Sequence, residues 1–225
     1  MKVIQLALVV AGMSTMSASI LTYVEAAGVQ TSHLGGTVIE DFNSVTPGLL
    51  ASYTSPIGTY SSGGAIMAPD IFGGANLSNY VAVGQESGAL SYLLTFNGPQ
   101  TFFGFYWLAM DQANVLTFYN GATVLATYTG NDFISTLSSD YFGNPNSSTD
   151  PTEKFAYVYF LSDNALTNFT SIQFSNVNPG TGFESDNHTI LAGGPTAAPE
   201  PSTLLTMVPA LVGMLAVARR RFRRG

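Results

Sequence analysis

Two pairs of acidic residues near the two ends of the central part of the chain could bind a metal ion. Glu40 and Asp41 lie near its start, and Glu184 and Asp186 lie near its end. Hard cations such as calcium prefer oxygen ligands from carboxylates, amides and backbone carbonyls. If the first and last strands of the fold lie side by side, these four carboxylates form a structural calcium site. The alternative is that they alternate outward into solvent, and their spacing is not that of an EF-hand loop.

Motifs for catalysis are absent from the sequence. The chain has no cysteine, no G-x-S-x-G nucleophile motif, no phosphate-binding glycine loop and no H-x-x-x-H zinc motif. His33 lies in a polar segment, where we expect it to be solvated, and His188 lies beside Asp186, where we expect a surface ion pair. Two carboxylates across a cleft could hydrolyse a glycoside, and the acids available for this are Glu86, Asp111, Asp132 and Glu184. Because no motif links them, we predict that the protein is not an enzyme.

Aromatic side chains make up 12% of the chain and are the groups that could bind a glycan. Sugar sites combine an exposed aromatic ring with a few nearby polar groups. The main candidate is Trp107, the single tryptophan, followed by Tyr106, Tyr119 and Tyr128. The alternative is that Trp107 packs in the core.

Short β-strands would position these side chains. Between residues 27 and 192, aromatic and β-branched runs are separated by glycine, asparagine, proline and serine, and no 12-residue stretch has a helical period. The clearest hairpin joins 114–119 to 122–128 through Asn120-Gly121, a pair that favours a type I′ turn. A second turn is predicted at 97–99, between strands 88–96 and 101–110. The other predicted strands are 37–42, 49–54, 80–84, 155–161, 169–174 and 183–191.

This pattern predicts one all-β domain over residues 27–192, an antiparallel β-sandwich of jelly-roll type. A segment of about 165 residues has the length of a single domain. We expect one helical turn at 132–137 and a long surface loop at 138–153, where polar residues, Asn-Pro and Asp-Pro steps are concentrated.

Charge is distributed very unevenly along the chain. Only 9% of the residues are charged, with 7 basic and 14 acidic side chains. One base is Lys2 and five follow residue 218, so residues 27–198 contain 12 acids and a single base, Lys154, for a formal charge of −11. Nucleic-acid binding requires basic side chains that neutralise phosphates. The composition therefore excludes a nucleic acid as partner.

Both ends of the chain are typical of targeting segments. Lys2, an apolar run at 3–13 and small residues predict a signal peptide over residues 1–26, with cleavage after Val24-Glu25-Ala26 or, alternatively, after Ala18. At the other end, a Gly/Pro/Ala linker over 193–201 precedes an apolar stretch that ends in arginines. We predict one transmembrane helix with an Arg-rich cytoplasmic tail over 202–225. The precursor would then cross the inner membrane and remain anchored there.

The C-terminal tail resembles the PEP-CTERM sorting signal of Gram-negative and related bacteria, also called the ice-binding-protein C-terminal domain, a label that says nothing about ice. The resemblance is carried by the triplet Pro199-Glu200-Pro201, the single apolar span, and the terminal arginines Arg219, Arg220, Arg221, Arg223 and Arg224. In that family an exosortase, which is a membrane-embedded enzyme, cuts near the triplet. The resemblance implies an exosortase-like partner and a final location at the cell surface or outside the cell. The alternative is a permanent single-pass anchor.

The central domain also resembles a group of exosortase-dependent surface proteins built as jelly rolls. The similar segments, in chain order, are 38–42, 96–99, 103–107, 118–121 and 182–187. Together, these features predict a non-catalytic structural or adhesive protein associated with exopolysaccharide or biofilm. A carbohydrate-binding module and a polysaccharide hydrolase remain as alternatives.

Overall fold

A computed structural model describes residues 20–162 and 168–192, which form two antiparallel sheets around one apolar core, an all-β sandwich. The larger sheet contains β1 (Ile20–Val24), β2 (Thr37–Glu40), β3 (Gly48–Leu49), β6 (Ala65–Met67), β7 (Tyr80–Gly84), β9 (Phe102–Met110), β12 (Lys154–Ser162) and β14 (Gly182–Leu191). The smaller sheet contains β4 (Tyr53–Thr54), β5 (Gly58–Tyr60), β8 (Ser91–Gln100), β10 (Asn114–Asn120), β11 (Thr123–Thr129) and β13 (Phe169–Asn176). A short helix, α1 (Gly130–Ile134), follows β11, and 3-10 turns form at Ala75–Leu77 and Ser139–Tyr141.

The order of the strands places distant parts of the chain next to each other. In the larger sheet the order is β1-β12-β9-β14-β7-β6-β3, and β2 pairs with the second half of β14. In the smaller sheet the order is β11-β10-β13-β8-β5-β4. The start and the end of the predicted domain are therefore adjacent, with Glu40 opposite His188.

Strand β9 explains why the segment 102–110 is apolar at every position. All nine of its residues are buried. Phe103, Phe105 and Trp107 belong to the core between the sheets, whereas Tyr106 and Leu108 belong to a second apolar cluster. A strand that is covered on both faces has no solvent side and needs no alternation of polar residues.

Two predicted turns differ from the observed ones. The β10–β11 hairpin forms where the sequence predicts it, but a bulge after Phe118 sets a register in which Asn120 pairs with Thr123. The loop is then 121–122, and Gly121 has a positive φ of 57° whereas Asn120 does not. At 97–99 no turn forms, because β8 continues to Gln100 and the chain passes into the other sheet through residue 101.

The segment after β11 agrees in outline with the prediction. The helical turn is α1, which begins two residues before the predicted range, and the Thr129 N–H donates to the Asp132 carboxylate (2.7 Å) at its start. The loop from 142 to 153 packs against the rest of the domain. Asn144 within it is only 2% exposed, and its amide lies 3.3 Å from the carbonyls of Asp70 and Ile71.

The predicted signal peptide overlaps a strand of the sandwich. All five residues of β1 pair with β12, from Ile20 opposite Ser162 to Val24 opposite Val158. Ile20 and Val24 pack against the core, and the Tyr128 hydroxyl donates to the Ile20 carbonyl (2.6 Å). A boundary at residue 26 would therefore remove a strand that the fold uses.

Within residues 20–162 and 168–192, no helix has the length and apolar character needed to cross a membrane. The apolar run of the predicted signal peptide, the linker at 193–201 and the predicted membrane helix over 202–225 lie outside the described residues.

Candidate functional site

Four acidic residues converge at one end of the larger sheet, at its four adjacent strands β12, β9, β14 and β7. Glu153 directly precedes β12, Asp111 directly follows β9, Glu184 is the third residue of β14, and Glu86 lies in the turn after β7. Antiparallel pairing brings the end of one strand beside the start of the next. All four residues consequently line one cavity, and we call them the acidic row.

A tight turn after β7 positions Glu86. Gly84 ends β7 with a φ of 109°, and its carbonyl accepts a hydrogen bond from the Gly88 N–H (2.8 Å). The Gln85 N–H donates to the Thr181 carbonyl (3.0 Å), which ties this turn to the segment that leads into β14. A residue with a Cβ at position 84 would have to adopt a positive φ that side chains disfavour.

Gly182, at the start of β14, brings two carboxylates of the row close together. A Cβ at this position would stand 2.6 Å from Oε2 of Glu86 and closer still to Oε1 of Glu184. The two carboxylate oxygens are therefore less than twice that distance apart. Only glycine leaves room for both.

The acidic row lines a cavity of about 210 Å³. Glu184 is 4% exposed, and apart from its own backbone amide no described residue donates a hydrogen bond to its carboxylate. Oε2 of Glu86 is also buried without a hydrogen-bond partner among the described residues. Burying a charged oxygen without compensation is costly. The remainder of the wall comes from Phe72, Gln85, Ala109, Gly180, Thr181 and Gly182.

Burial and mutual repulsion raise the pKa values in the row. Burial raises the pKa of Glu184 well above its ordinary value, and the negative charge of Glu86 raises it further. Burial, together with the Asp150 carboxyl group, raises the pKa of Glu153 to about 8. Burial raises the pKa of Glu86 as well. Ionised carboxylates are therefore unfavourable here unless a positive charge is present.

The basic side chains of the described residues do not supply that charge. The ammonium group of Lys154 donates to the carbonyls of Ile134 (2.9 Å) and Leu137 (2.6 Å) instead. The single ion pair among residues 20–162 and 168–192 joins His33 to Glu25, and His33 is exposed, as expected.

The first pair of predicted calcium ligands lies outside this cavity. The Glu40 carboxylate accepts hydrogen bonds from the Phe42 N–H (2.9 Å) and the Tyr53 hydroxyl (3.0 Å). Asp41 is exposed and accepts hydrogen bonds from the backbone and side chain of Asn43, both at 3.1 Å. Both carboxylates thus have local partners at the end of β2.

The second predicted pair is divided between two environments. Asp186 is fully buried and accepts hydrogen bonds from the N–H groups of Ala75 (2.8 Å) and Asn187 (2.6 Å) and from the Ser78 hydroxyl (2.5 Å). Glu184 alone faces the acidic cavity. The structure therefore separates the ligand set predicted from the sequence. In the described part of the chain, no three histidine, cysteine or acidic side chains have the mutual spacing of a metal site.

His188 does not form the surface ion pair expected from its neighbour Asp186. Its ring is fully buried and stacks on Phe174 with ring centres 4.9 Å apart. Regular alternation would place residues 186 and 188 on the same face of β14. The strand is irregular at Asn187, whose φ is 49°, and the shifted register turns His188 into the core.

Hydrogen bonds connect His188 to polar groups from both sheets. Nδ1 lies 3.0 Å from the Tyr60 hydroxyl, and Nε2 lies 3.0 Å from the Ser185 hydroxyl. The Ser185 hydroxyl is in turn 3.1 Å from the Tyr92 hydroxyl. Burial lowers the pKa of His188 to about 3, so its ring is neutral at ordinary pH. We call these four residues the His188 network.

Trp107 is a core residue, which corrects its assignment as a glycan-binding candidate. Its ring is fully buried and stacks on Phe183 at 4.9 Å. The indole N–H donates to the Asn114 side chain (2.9 Å), whose amide donates to the Gly182 carbonyl (2.7 Å). Tyr106, another candidate, is 1% exposed. The packing alternative is therefore the one that the structure supports.

Two members of the acidic row, Glu86 and Asp111, were expected only as scattered acids, Glu184 was expected also as a calcium ligand, and Glu153 was not considered. Asp111 directly follows the predicted strand 101–110, and Glu153 lies two residues before the predicted strand 155–161, so their positions near strand ends could be read from the sequence. Which strand ends meet depends on strand order. Asp132, named with them, lies at the start of α1 instead.

The predicted sorting residues, which are the triplet at 199–201 and the five terminal arginines, lie outside the described residues. Comparisons of the chain with protein-family models, with curated proteins and with solved structures found no match.

Proposed function

We propose that this chain is an exported cell-surface or extracellular-matrix protein with a structural or adhesive role beside exopolysaccharide, delivered by a PEP-CTERM/exosortase system. The observation that carries the proposal is the order of features at the C-terminus: Pro199-Glu200-Pro201, one apolar span, and five arginines in the last seven residues. Each feature alone is common. Their combination at the end of a chain that begins with a signal-like segment favours sorting to the surface.

The sandwich suits such a role. A domain without cysteine must obtain its stability from burial, and its aromatic side chains are used for that purpose in two apolar clusters, the larger of which lies between the sheets. We further propose that the sandwich is of jelly-roll type. The pairing of β2 with β14, close to the two ends of the domain, supports this assignment.

A non-catalytic role is supported by the burial of the groups that resemble catalytic ones. Ser185 and His188 are within hydrogen-bond distance, as in a nucleophile–base pair. Both are fully buried, so a substrate has no access to them in this fold.

Mass spectrometry of the protein released from the cell surface tests the proposal. We expect a new C-terminus close to Pro199–Pro201, without the arginine tail. Replacing the triplet residue Glu200 with alanine should cause the uncut precursor to accumulate in the membrane fraction, because the processing enzyme would no longer recognise the site. Asp140→Asn, an exposed change in the domain, is the matched control and should be processed normally. An intact arginine tail on the surface form would contradict the sorting proposal.

A further inference from the structure

We propose that the acidic row binds one divalent cation, calcium by preference, through the carboxylates of Glu86 and Glu184. Asp111 and Glu153 would contribute negative charge from the neighbouring strands. This site differs from the one expected from the sequence, since it shares only Glu184 with that set.

Geometry is the first support for a cation. The Glu86 and Glu184 oxygens approach each other over Gly182, where a single methyl group would collide with both. Two carboxylates at this separation repel each other unless a proton or a cation lies between them. Both belong to one cavity of about 210 Å³, which is large enough for an ion and several water molecules.

The second support is the state of the Glu184 side chain. It is 96% buried and directed into the cavity, yet no other described residue donates a hydrogen bond to its carboxylate. Asp186, two residues further along the same strand, accepts three hydrogen bonds and needs no ligand. The difference indicates that the missing partner of the Glu184 carboxylate is a ligand from outside the chain.

Calcium fits this cavity better than magnesium does. Calcium accepts six to eight oxygen ligands in irregular geometry, whereas magnesium requires a near-ideal octahedron. Two carboxylates would supply part of the coordination, and water would supply the rest. The segment 180–182 also borders the cavity. A bound ion would tie together the ends of β7, β9, β12 and β14.

Calorimetric titration of the full-length chain in detergent, after chelator treatment, tests the site directly. We expect one calcium ion to bind per chain, with Kd of about 10⁻⁴–10⁻³ M, the range of extracellular modules. Only this Kd range rests on the proposed function, because it assumes that the protein is exported. Calcium should also raise Tm, which can be measured from the fluorescence of the single tryptophan. Magnesium at the same concentration should bind at least tenfold more weakly.

Matched variants locate the site. Glu86→Gln and Glu184→Gln should each weaken calcium binding at least tenfold and raise Tm in chelator, because each removes a charge from the repelling pair. Asp111→Asn should weaken calcium binding by a smaller factor. If the two glutamine variants fail to fold, the calcium affinity of Asp111→Asn tests the location of the site in their place. Asp41→Asn, which changes an exposed acid of the sequence-derived set, should bind as the parent does.

Several outcomes would overturn the proposal. One is the absence of a calcium response in the parent chain, and another is parent affinity in both glutamine variants. Loss of binding only in Asp41→Asn would place the ion at β2 instead. None of these results depends on where the protein resides in the cell, so they are distinguishable from a failure of the sorting proposal.

Discussion

At the scale of single residues, the His188 network is a buried polar feature of the core. Its members come from β5, β8 and β14, so it links the two sheets. Phe42, Phe103 and Phe105 also contact the histidine ring with their own rings. A buried polar network that is fully hydrogen-bonded favours one arrangement of the strands, because any shift of register leaves groups unpaired.

The His188 network predicts a loss of stability in mild acid. The folded protein keeps His188 neutral because its pKa is about 3, whereas the unfolded chain takes up a proton below about pH 6.5. The free energy of unfolding should therefore decrease as the pH falls from 6.5 towards 3. Between pH 7 and pH 4 the contribution of this residue is about 3 kcal/mol. Denaturant unfolding of the parent and of His188→Gln at both pH values measures it.

We expect the free energy of unfolding of His188→Gln to be lower than that of the parent at pH 7. The difference between the two proteins should narrow markedly at pH 4. The nearby acids Glu40 and Asp186 titrate in both proteins, so their effects largely cancel in the difference. Phe174→Leu alters the ring stacked on the histidine without adding or removing a titratable group. The difference between its free energy of unfolding and that of the parent should therefore change little with pH. If the difference in free energy of unfolding between His188→Gln and the parent is equal at both pH values, the assignment of a neutral buried histidine is contradicted.

At the scale of elements, β1 bears on where the predicted signal peptide would be cut. It covers the outer edge of β12, and an uncovered edge strand exposes backbone groups that pair with other chains. The Glu25 carbonyl, just after β1, accepts a hydrogen bond from the Tyr141 hydroxyl (2.7 Å). The fold therefore favours the second cleavage position, after Ala18, over the one after Ala26.

We predict that the mature chain begins at Ser19 and retains β1. Mass spectrometry or N-terminal sequencing of the exported protein measures this. Ala18→Gln should block processing, because the signal peptidase requires a small residue before the cut, whereas Ala26→Gln should be processed normally. A mature N-terminus at Ala27 would show that the exported domain folds without β1.

At the scale of the whole molecule, the central domain carries a large charge of one sign. Residues 27–198 have a formal charge of −11 with Lys154 as their single base. Net charge far from zero destabilises a compact state through self-repulsion. Calcium in the acidic row would remove only part of this repulsion, since acids such as Asp41 and Asp140 lie elsewhere on the surface.

We expect sodium chloride to raise the Tm of the calcium-free chain at pH 7. Raising the ionic strength from 0.01 to 0.1 M shortens the Debye length from about 30 to about 10 Å, which screens the exposed acids from each other. Each kcal/mol gained would raise Tm by about 2–4 °C. The same salt step near pH 4.5, which is the isoelectric point of the sequence, serves as the control and should have a smaller effect. A decrease of Tm with salt at pH 7 would show that attractive ion pairs outweigh the repulsion.

Much of the fold was predictable because local patterns specify strands. The segments 80–84, 101–110 and 169–174 were predicted from aromatic and β-branched runs and are found as β7, β9 and β13. The crossing between sheets at residue 101 was not predictable. Asn97-Gly98-Pro99 has the composition of a turn, but it lies within β8, where the register with β13 shifts between Thr95 and Gln100.

The sequence by itself determined the all-β class and the excess of acids, because each follows from residue types and their local order. It predicts targeting segments at both ends on the same grounds. Only the tertiary structure decided which acids meet, and that Trp107 and His188 are core residues. The acidic row depends on the order β12-β9-β14-β7, and His188 points inward because of one irregular residue, Asn187. Strand order and bulges result from contacts between segments far apart in the chain, which no local pattern encodes.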